Sequence, residues 1–424
     1  MRFGRLFAPW LGLWLGGCAV VDFARPGTPV ELSHAALDAY FAEFCALSQI
    51  LQKPGGAAMV RGDIGGHSVF FLHGACRAGP HGQTTIQMCD EAGAEPADGV
   101  GLSMNAHFSN TKWVATPGHD FFFNGNLAPD QPLTRAGHAA VMAEAQRLRL
   151  YDGVAFHPEV FADMPAGMAR EDWSQQVSVA TDYGISLGRG RFCARVPVNR
   201  AQMASMVAFL NAQNAPYRDG GQVFRWNLFK DNCIHMAHNA LAAAGLWPEW
   251  PTGRPFLVSV LDFPVPRNEL VNLMQRVADT TLLDPGALDA DGAARHALLA
   301  YGQLPVRAGA LLESRPPQQP NEVYETALKL VFYDASFVGP YQGWFDAIQA
   351  DPTQYEPRRN RAWVVAQHRL ALRRRQPLEW WLRQPGITNQ DRFAVTYHRL
   401  YDLLQREVAA AEPQPAITST AEAP

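Results

Sequence analysis

The sequence predicts an α+β fold with a helical C-terminal region, and the change in pattern near residue 250 carries this prediction. Short runs of β-formers broken by glycine and proline recur over residues 61–198, whereas 200–214 and 233–245 carry apolar side chains at helical spacing. Beyond residue 250 the segments are longer, amphipathic and rich in arginine, tryptophan and tyrosine. We therefore predict one α+β domain over residues 31–250 and a mainly helical region over 251–410.

The composition is that of a globular chain long enough for two domains. Of its 424 residues, 47% are hydrophobic and 18% are charged, and the net charge is only −4. Such a small net charge offers a nucleic acid no attraction over the whole surface. We therefore predict no nucleic-acid partner.

Residues 1–17 are typical of an export signal. Arg2 and Arg5 precede an apolar run from Leu6 to Gly17, which is too short to span a bilayer. The segment is therefore predicted to be a signal peptide that is removed from the mature chain.

The end of this segment, Leu15-Gly16-Gly17-Cys18, resembles the lipobox of bacterial lipoproteins. The resemblance implies cleavage before Cys18, lipidation of that cysteine and a tether over residues 18–30. Because Ala19 follows, and not the aspartate that commonly retains lipoproteins in the inner membrane, it also implies an outer-membrane anchor that faces the periplasm. The alternative is an ordinary secretory signal that is cleaved elsewhere.

Local patterns predict the remaining elements of the first domain in chain order. Apolar side chains at helical spacing predict a helix over residues 31–51, capped by Ser33. Glycine-rich residues then precede an apolar strand that holds His67 and His73. Further predicted elements are two strands within 99–125, a helix over 134–150, two strands within 177–198 and a helix over 200–214 capped by Asn199.

The C-terminal region is predicted to be helical and to end in a disordered tail over 411–424. Its predicted helices cover 269–283, 321–333, 359–375 and 391–410. We interpret its arginine-rich segments as solvated faces whose aromatic side chains pack inward. Docking on anionic lipid head groups near the anchor is the alternative.

Four of the six cysteines are candidates for disulfides in an oxidising periplasm. Cys76 and Cys89 are predicted to pair, because a Gly/Pro turn joins the two strand-like runs that hold them. Cys45 and Cys193 either pair with each other or remain buried thiols.

The stretch Lys230–Gly245 predicts a helix with a cysteine at its start. Asp231 or Asn232 can cap the helix by accepting hydrogen bonds from the first-turn amides, which places Cys233 at the first or second helical position. The positive end of the helix dipole lowers the pKa of a thiol there, and the thiolate is the reactive form. The alternative is a small buried side chain that opens an alanine-rich core helix.

A thiol nucleophile needs a base, and histidine titrates in the required range. His67 is the strongest candidate because it follows glycines at the head of an apolar strand. We interpret His73 as a structural histidine, and a structural role is also the alternative for His67.

The order of these motifs resembles a known arrangement. Cys233 is preceded by Asn232 and followed by His235 and then by Asn-Ala-Leu, and the histidine strand lies earlier in the chain. This is similar to the permuted branch of the papain-like fold, which includes lecithin-retinol acyltransferase-like proteins and relatives of the NlpC-type cell-wall endopeptidases. Ordinary papain-like enzymes have the cysteine helix first. Over residues 61–245 the resemblance implies a circularly permuted core of antiparallel sheet plus helices.

The resemblance implies that Cys233 is the nucleophile and His67 the general base. The family's orienting polar group lies on the strand after the histidine, where Asn105 and His107 have the same parity and can share one strand face. Two further candidates for that role follow them: Asn110 and His119.

The oxyanion of the attacked carbonyl would be bound by the backbone amide of Cys233 at the helix N-terminus. Asn232 is either a second donor to the oxyanion or only the helix cap, and we favour the cap. Asp231 is the other candidate for the cap.

Cys233, His235 and His238 also suggest a metal site, because Cys-x-His-x-x-His offers three ligands. On a helix, however, offsets of two and five residues turn the histidines about 200° and about 140° away from the cysteine. We therefore predict no metal and no cofactor.

Taken together, the resemblances imply a lipid-anchored periplasmic cysteine hydrolase or acyltransferase that cleaves an amide bond through a thioester at Cys233. Cell-wall peptide is the favoured substrate on grounds of compartment, and a lipid acyl ester is the alternative. A non-catalytic envelope lipoprotein that binds or assembles other components is the prediction from a different functional class.

Overall fold

A computed structural model describes most of the first domain and parts of the C-terminal region. The described residues are 18–22, 40–48, 50–52, 67–79, 82–128, 131–178, 184–246, 249–250, 252, 255, 265–275, 311–326, 329–334, 339–350, 369, 372–373, 375–383 and 389–411. The chain divides into two compact units, one formed by 1–274 with 310–352 and the other by 275–309 with 353–424. This division differs from the predicted boundary at residue 250, because 251–274 and 310–352 belong to the first unit.

The centre of the first unit is a six-stranded sheet in which every neighbouring pair is antiparallel. The α+β class and the antiparallel sheet are therefore confirmed. In spatial order, the strands are β10 (Leu311–Arg315), β9 (Arg191–Pro197), β2 (Phe41–Leu47), β4 (His67–His73), β7 (Gly99–Met104) and β8 (Trp113–Pro117).

Three two-stranded antiparallel ladders accompany the sheet. They pair β1 (Cys18–Asp22) with β12 (Lys329–Tyr333), β3 (Ile50–Gln52) with β11 (Tyr324–Thr326), and β5 (Ala75–Arg77) with β6 (Ile86–Met88). The first five residues of the predicted tether thus lie in a strand.

Several helices of the first unit begin at a residue whose side chain caps them. Thr134 accepts a hydrogen bond from the Gly137 amide, and Asn199 forms a reciprocal capping box with Gln202, as the sequence predicted for Asn199. These helices are α1 (His119–Asn124), α2 (Arg135–Arg147), α3 (Arg170–Ser178), α4 (Arg200–Arg218), α5 (Cys233–Ala243), α6 (Pro266–Gln275) and α7 (Tyr341–Ala350), with a 3₁₀ turn at Pro158–Phe161.

The two faces of the sheet pack against different helices. One face, the α1 face, carries Cys45, Val69 and Phe71, which cluster with Phe122 and Phe123 of α1. On the opposite face, the α5 face, the Trp113 indole donates a hydrogen bond to the Leu210 carbonyl of α4 at 3.2 Å. Because α4 packs on α5, and α5 in turn packs on β4 and β7, both of these helices cover the α5 face.

Two disulfides cross-link the first unit. Cys45 and Cys193 lie directly opposite each other on β2 and β9, and their sulfurs are bonded. Cys76 and Cys89, the pair predicted from the turn between them, are also bonded, with Cα atoms 4.9 Å apart. The first disulfide joins residues 148 positions apart in the chain, so it constrains the unfolded state strongly.

The second unit contains α8 (Leu378–Leu382) and α9 (Gln390–Ala411). Their buried contacts are aromatic, and the Arg375 guanidinium lies 5.0 Å from the Tyr397 ring centroid and 4.5 Å from that of Tyr401. The Arg375 guanidinium therefore makes cation–π contacts with these two tyrosines. No helix in the described part of the chain is long and apolar enough to cross a membrane.

Several predicted elements are wrong where the structure describes them. The helix predicted over 31–51 is instead β2 followed by β3, and the helix predicted over 321–333 is β11 followed by β12. Val177 and Ser178 end α3 and do not begin a strand, and the aromatic run at 121–123 lies in α1. Short apolar runs fit both helical and strand periods, so pairing with distant strands decides between them.

Other predictions fall outside the described residues. These are the signal peptide over 1–17, most of the tether, the ends of the predicted helices at 31–39 and 276–283, most of the helix at 359–375, and all but the first residue of the tail over 411–424.

Gly101→Ala is expected to lower the free energy of unfolding by about 1–3 kcal/mol. A Cβ at this position would lie 2.1–2.4 Å from ring atoms of Phe122, which is fully buried against the sheet. Gly343→Ala in α7 is the matched control, since nothing lies within 4 Å of its Cβ. Urea unfolding compares the two variants, and equal stabilities would contradict the packing described here.

Candidate functional site

The start of α5 is held by a capping box. Asn232 is the cap residue, and its Oδ1 accepts hydrogen bonds from the amides of Ile234 at 2.9 Å and His235 at 3.2 Å. His235 Nδ1 accepts in return from the Asn232 amide at 3.4 Å, and Asn232 Nδ2 donates to the Leu228 carbonyl at 2.7 Å. Since its side chain is committed to these bonds, Asn232 acts here as the cap and not as an oxyanion donor.

Cys233 is the first residue of this helix, and its side chain is nearly buried, with 7% of the residue exposed. It forms no disulfide within the described part of the chain. The positive end of the helix dipole favours a negative charge at this position. The position therefore suits a thiolate, although little of it is open to solvent.

Asp231 fixes this helix start to one end of the sheet. Its carboxylate lies 2.7 Å from Nζ of Lys112, which sits on the loop between β7 and β8. Lys112 Nζ also donates to Gln213 of α4 at 2.7 Å. Asp231 thus anchors α5 through Lys112, whereas the neighbouring residue Asn232 is the helix cap.

His67 opens β4 at the same end of the sheet. Its Nε2 lies 3.2 Å from Oγ of Ser103 on β7. Burial is the main cause that lowers the pKa of His67 to about 3, and the charges of Arg189 and Arg267 lower it further. The ring is therefore neutral at physiological pH.

The structure brings His67 and Cys233 to the same end of the sheet but does not join them. Side-chain alternation along β4 directs His67, like Val69, to the α1 face, whereas α5 covers the other face. Within the part of the chain that the structure describes, His67 contacts Ser103 and makes no polar contact with Cys233.

The predicted orienting residues Asn105 and His107 contact each other and His157. Asn105 is buried just past the end of β7, and its Oδ1 accepts a hydrogen bond from the His107 amide at 2.7 Å. The His107 carbonyl accepts from the amide of His157 at 2.8 Å. Burial first, and the nearby His157 second, lower the pKa of His107 to about 4. His107 is therefore a neighbour of His157, and the side chain that contacts His67 is that of Ser103.

Of the two further candidates, Asn110 bridges to a loop and His119 is part of a buried pair. Asn110 Nδ2 donates to the Gly153 carbonyl at 2.7 Å. His119 Nε2 lies 3.1 Å from Oε2 of Glu43, which is fully buried on β2. Neither Ser103 nor Glu43 was among the site residues predicted from the sequence. Parity along β7 gave a signal for Ser103, since it has the same parity as Asn105.

The two histidines of α5 face different partners. His235 completes the cap, whereas His238 Nδ1 lies 2.8 Å from Oε1 of Glu269 and its ring stacks on Trp250 at 3.8 Å between centroids. Within the described residues, one group of ligand-type side chains lies close enough together to hold a metal: Glu43, Cys45 and Cys193. Its two cysteines are joined in a disulfide, so they are not available as thiolate ligands.

Acid should destabilise the fold partly through His67. The unfolded chain takes up a proton at this residue below a pH of about 6.5, whereas the folded chain does so only near a pH of about 3. The stabilising contribution is thus complete above pH about 6.5 and is lost as the pH falls towards about 3. His67→Gln should lose less stability between pH 7 and pH 4 than the unchanged protein does, as urea unfolding at both pH values would measure. His398→Gln, at an exposed position, is the control. Equal losses of stability between pH 7 and pH 4 in all three proteins would refute the role given to His67.

No protein-family model, curated protein or solved structure matches the chain.

Proposed function

We propose that the chain is a cysteine hydrolase or acyltransferase of the cell envelope, with Cys233 as its nucleophile. The observation that carries the proposal is the position of this thiol as the first residue of a capped helix, where the dipole favours a thiolate. The order of a histidine strand before a cysteine helix, on an antiparallel sheet, supports a permuted papain-like core.

In the proposed reaction, the Cys233 sulfur attacks an acyl carbonyl, and a carbon–sulfur bond forms as the bond to the leaving group breaks. His67 takes the thiol proton and passes it to the leaving group, and water or another acceptor then cleaves the thioester. The backbone amide of Cys233 binds the oxyanion. His67 contacts Ser103 on the α1 face. The proposal therefore requires its ring to leave Ser103 and to turn towards α5 at the end of the sheet that His67 and Cys233 share.

Compartment supports an amide bond of a cell-wall peptide as the substrate, and a lipid acyl ester is the alternative. The lipobox resemblance at Cys18 supports an outer-membrane anchor that faces the periplasm. In this proposal the membrane is a partner only through the anchor.

The test is the pH dependence of Cys233 alkylation, read by mass spectrometry on the full chain. Reactivity should titrate below the free-thiol value of about 8.5 and shift upward in His67→Ala. Ser103→Ala tests whether release of His67 from its partner alters the profile. A profile centred on the free-thiol value, or one indifferent to His67, would contradict the proposed pair.

A second candidate is a non-catalytic envelope lipoprotein that uses this fold to bind or assemble other components. It is favoured by the near-complete burial of Cys233 and by the contact of His67 with Ser103. In that case Cys233 would stay unreactive towards an alkylating agent in the native protein at every pH that preserves the fold.

A further inference from the structure

A polar cavity lies at the end of the sheet where α5 begins. It has a volume of about 380 Å³, within the range of small-molecule sites. Its polar and aromatic lining consists of His107, His157, Glu159, Asp163, Arg225 and Trp226. Trp226 precedes Cys233 by seven residues, so the segment that lines the cavity leads directly into the candidate nucleophile.

The cavity is built from three segments that hydrogen bonds hold together. The His157 amide donates to the His107 carbonyl at 2.8 Å, and the His157 Nε2 donates to the Phe224 carbonyl at 2.9 Å. The Phe224 amide donates in turn to the Ser109 carbonyl at 2.8 Å. These bonds fix the walls before any ligand arrives, which lowers the entropic cost of binding.

A tight turn then carries the chain from Trp226 into the cap of α5. Asn227 and Asp231 exchange backbone hydrogen bonds at 3.0 Å, and the Asn227 side chain accepts from the amides of Phe229 and Lys230 at 3.1 Å. These bonds connect the cavity rim to the residues that precede Cys233.

Trp226 offers an aromatic surface at the rim. It is 37% exposed, and within the described part of the chain no ring stacks on it. An indole exposed to this extent offers a ligand a large apolar ring face together with an N–H donor. Two other exposed apolar side chains, Val223 and Leu228, lie in the same stretch but do not line the cavity.

The charges at the rim are mixed. Glu159 and Asp163 are exposed acceptors, while Arg225 is an exposed donor on the same rim. Below them, burial keeps the His107 ring neutral, since its pKa is lowered to about 4. A simple cation would be repelled by Arg225, and a simple anion would be repelled by the carboxylates of Glu159 and Asp163. A neutral ligand with many hydroxyl groups satisfies both kinds of partner and places an apolar ring face on the indole.

We propose that this cavity binds a saccharide unit, with Trp226 as its stacking surface and Glu159, Asp163 and Arg225 as hydrogen-bond partners for its hydroxyl groups. Resting on the proposed function, the inference makes the cavity a substrate subsite beside the segment that leads into Cys233, so that the cleaved acyl bond belongs to a glycan-linked molecule.

The test is calorimetric titration of the full chain with β-1,4-linked oligomers of glucose and of N-acetylglucosamine. Binding should weaken by at least about tenfold in Trp226→Ala and also weaken in Glu159→Gln, while Val223→Ala, outside the cavity, should bind as the unchanged protein does. Lysine amide and anionic phosphatidylglycerol vesicles are tested in parallel. No binding of either oligomer, equal binding in Trp226→Ala, or binding of lysine amide or vesicles alone would overturn the proposal.

The same titration with Cys233→Ala separates this inference from the proposed function. Saccharide binding should persist in that variant, because the sulfur does not line the cavity. Saccharide binding together with an unreactive Cys233 would overturn the proposed chemistry and leave the subsite standing. A reactive Cys233 without saccharide binding would overturn the saccharide subsite and leave the proposed chemistry standing.

Discussion

Replacing Cys233 with alanine is expected to lower the turnover of an acyl-amide or acyl-ester substrate by at least about 10³-fold, because no thioester forms without the sulfur. The fold should survive, since the change removes one small buried atom from the start of α5 and costs about 1–2 kcal/mol at most. Turnover and urea unfolding measured on the same sample separate the two effects.

Asn232→Ala is the matched control for this experiment. It removes the capping box and should cost about 1–2 kcal/mol of stability, yet it leaves the thiol in place. Turnover should therefore fall far less than in Cys233→Ala, although the helix start is less stable. If Cys233→Ala retained the turnover of the unchanged protein, the chemistry would lie elsewhere and the binding role would be the better account.

The helix that holds Cys233 was predictable because its signals are local. Asn232 offers its side-chain oxygen to amides two and three residues ahead, and His235 returns a bond to the same residue. Each partner lies within one turn, so the sequence alone contains the whole interaction. The same reasoning explains why Thr134 and Asn199 begin helices where the sequence places them.

β2 could not be predicted in this way, since its partners are distant in sequence. Phe41–Leu47 is buried along its whole length between β4 and β9, so it shows neither the alternation of a half-exposed strand nor a polar helical face. The segments at Tyr324–Thr326 and Lys329–Tyr333 likewise became strands through pairing with β3 and β1. In each case tertiary pairing overrides a helical local pattern.

In the candidate site, too, the local elements could be predicted from the sequence, whereas the contacts between distant residues could not. His67 on a strand and Cys233 on a helix were both expected, and the structure places them at one end of the sheet. Ser103, the contact of His67, depends on the register between β4 and β7, which local patterns do not specify. The facing of His67 towards the α1 side depends on the same register.

Loss of the Glu43 carboxylate should strongly destabilise the first unit. Its carboxylate is fully buried, lies 3.1 Å from His119 Nε2, and sits on β2 directly opposite Arg195 of β9. Arg195 is 1% exposed, with its guanidinium over the Phe41 ring. Removing the carboxylate leaves a buried cation without its anionic neighbour, and such a loss costs about 3–5 kcal/mol.

Glu43→Ala is therefore expected to lower the free energy of unfolding by about 3–5 kcal/mol, measured by urea unfolding with the disulfides kept oxidised. Glu43→Gln should cost less, because its amide oxygen still accepts from His119. Glu144→Ala, which breaks a solvent-exposed pair with Arg147, is the matched control and should cost about 0–1 kcal/mol. Since Glu43 lies on the α1 face, alkylation of Cys233 on the other side of the sheet should be unchanged while the fold persists. The prediction fails if Glu43→Ala costs no more than the control. In that case water already reaches the Glu43 carboxylate, and its contact with His119 contributes little to stability.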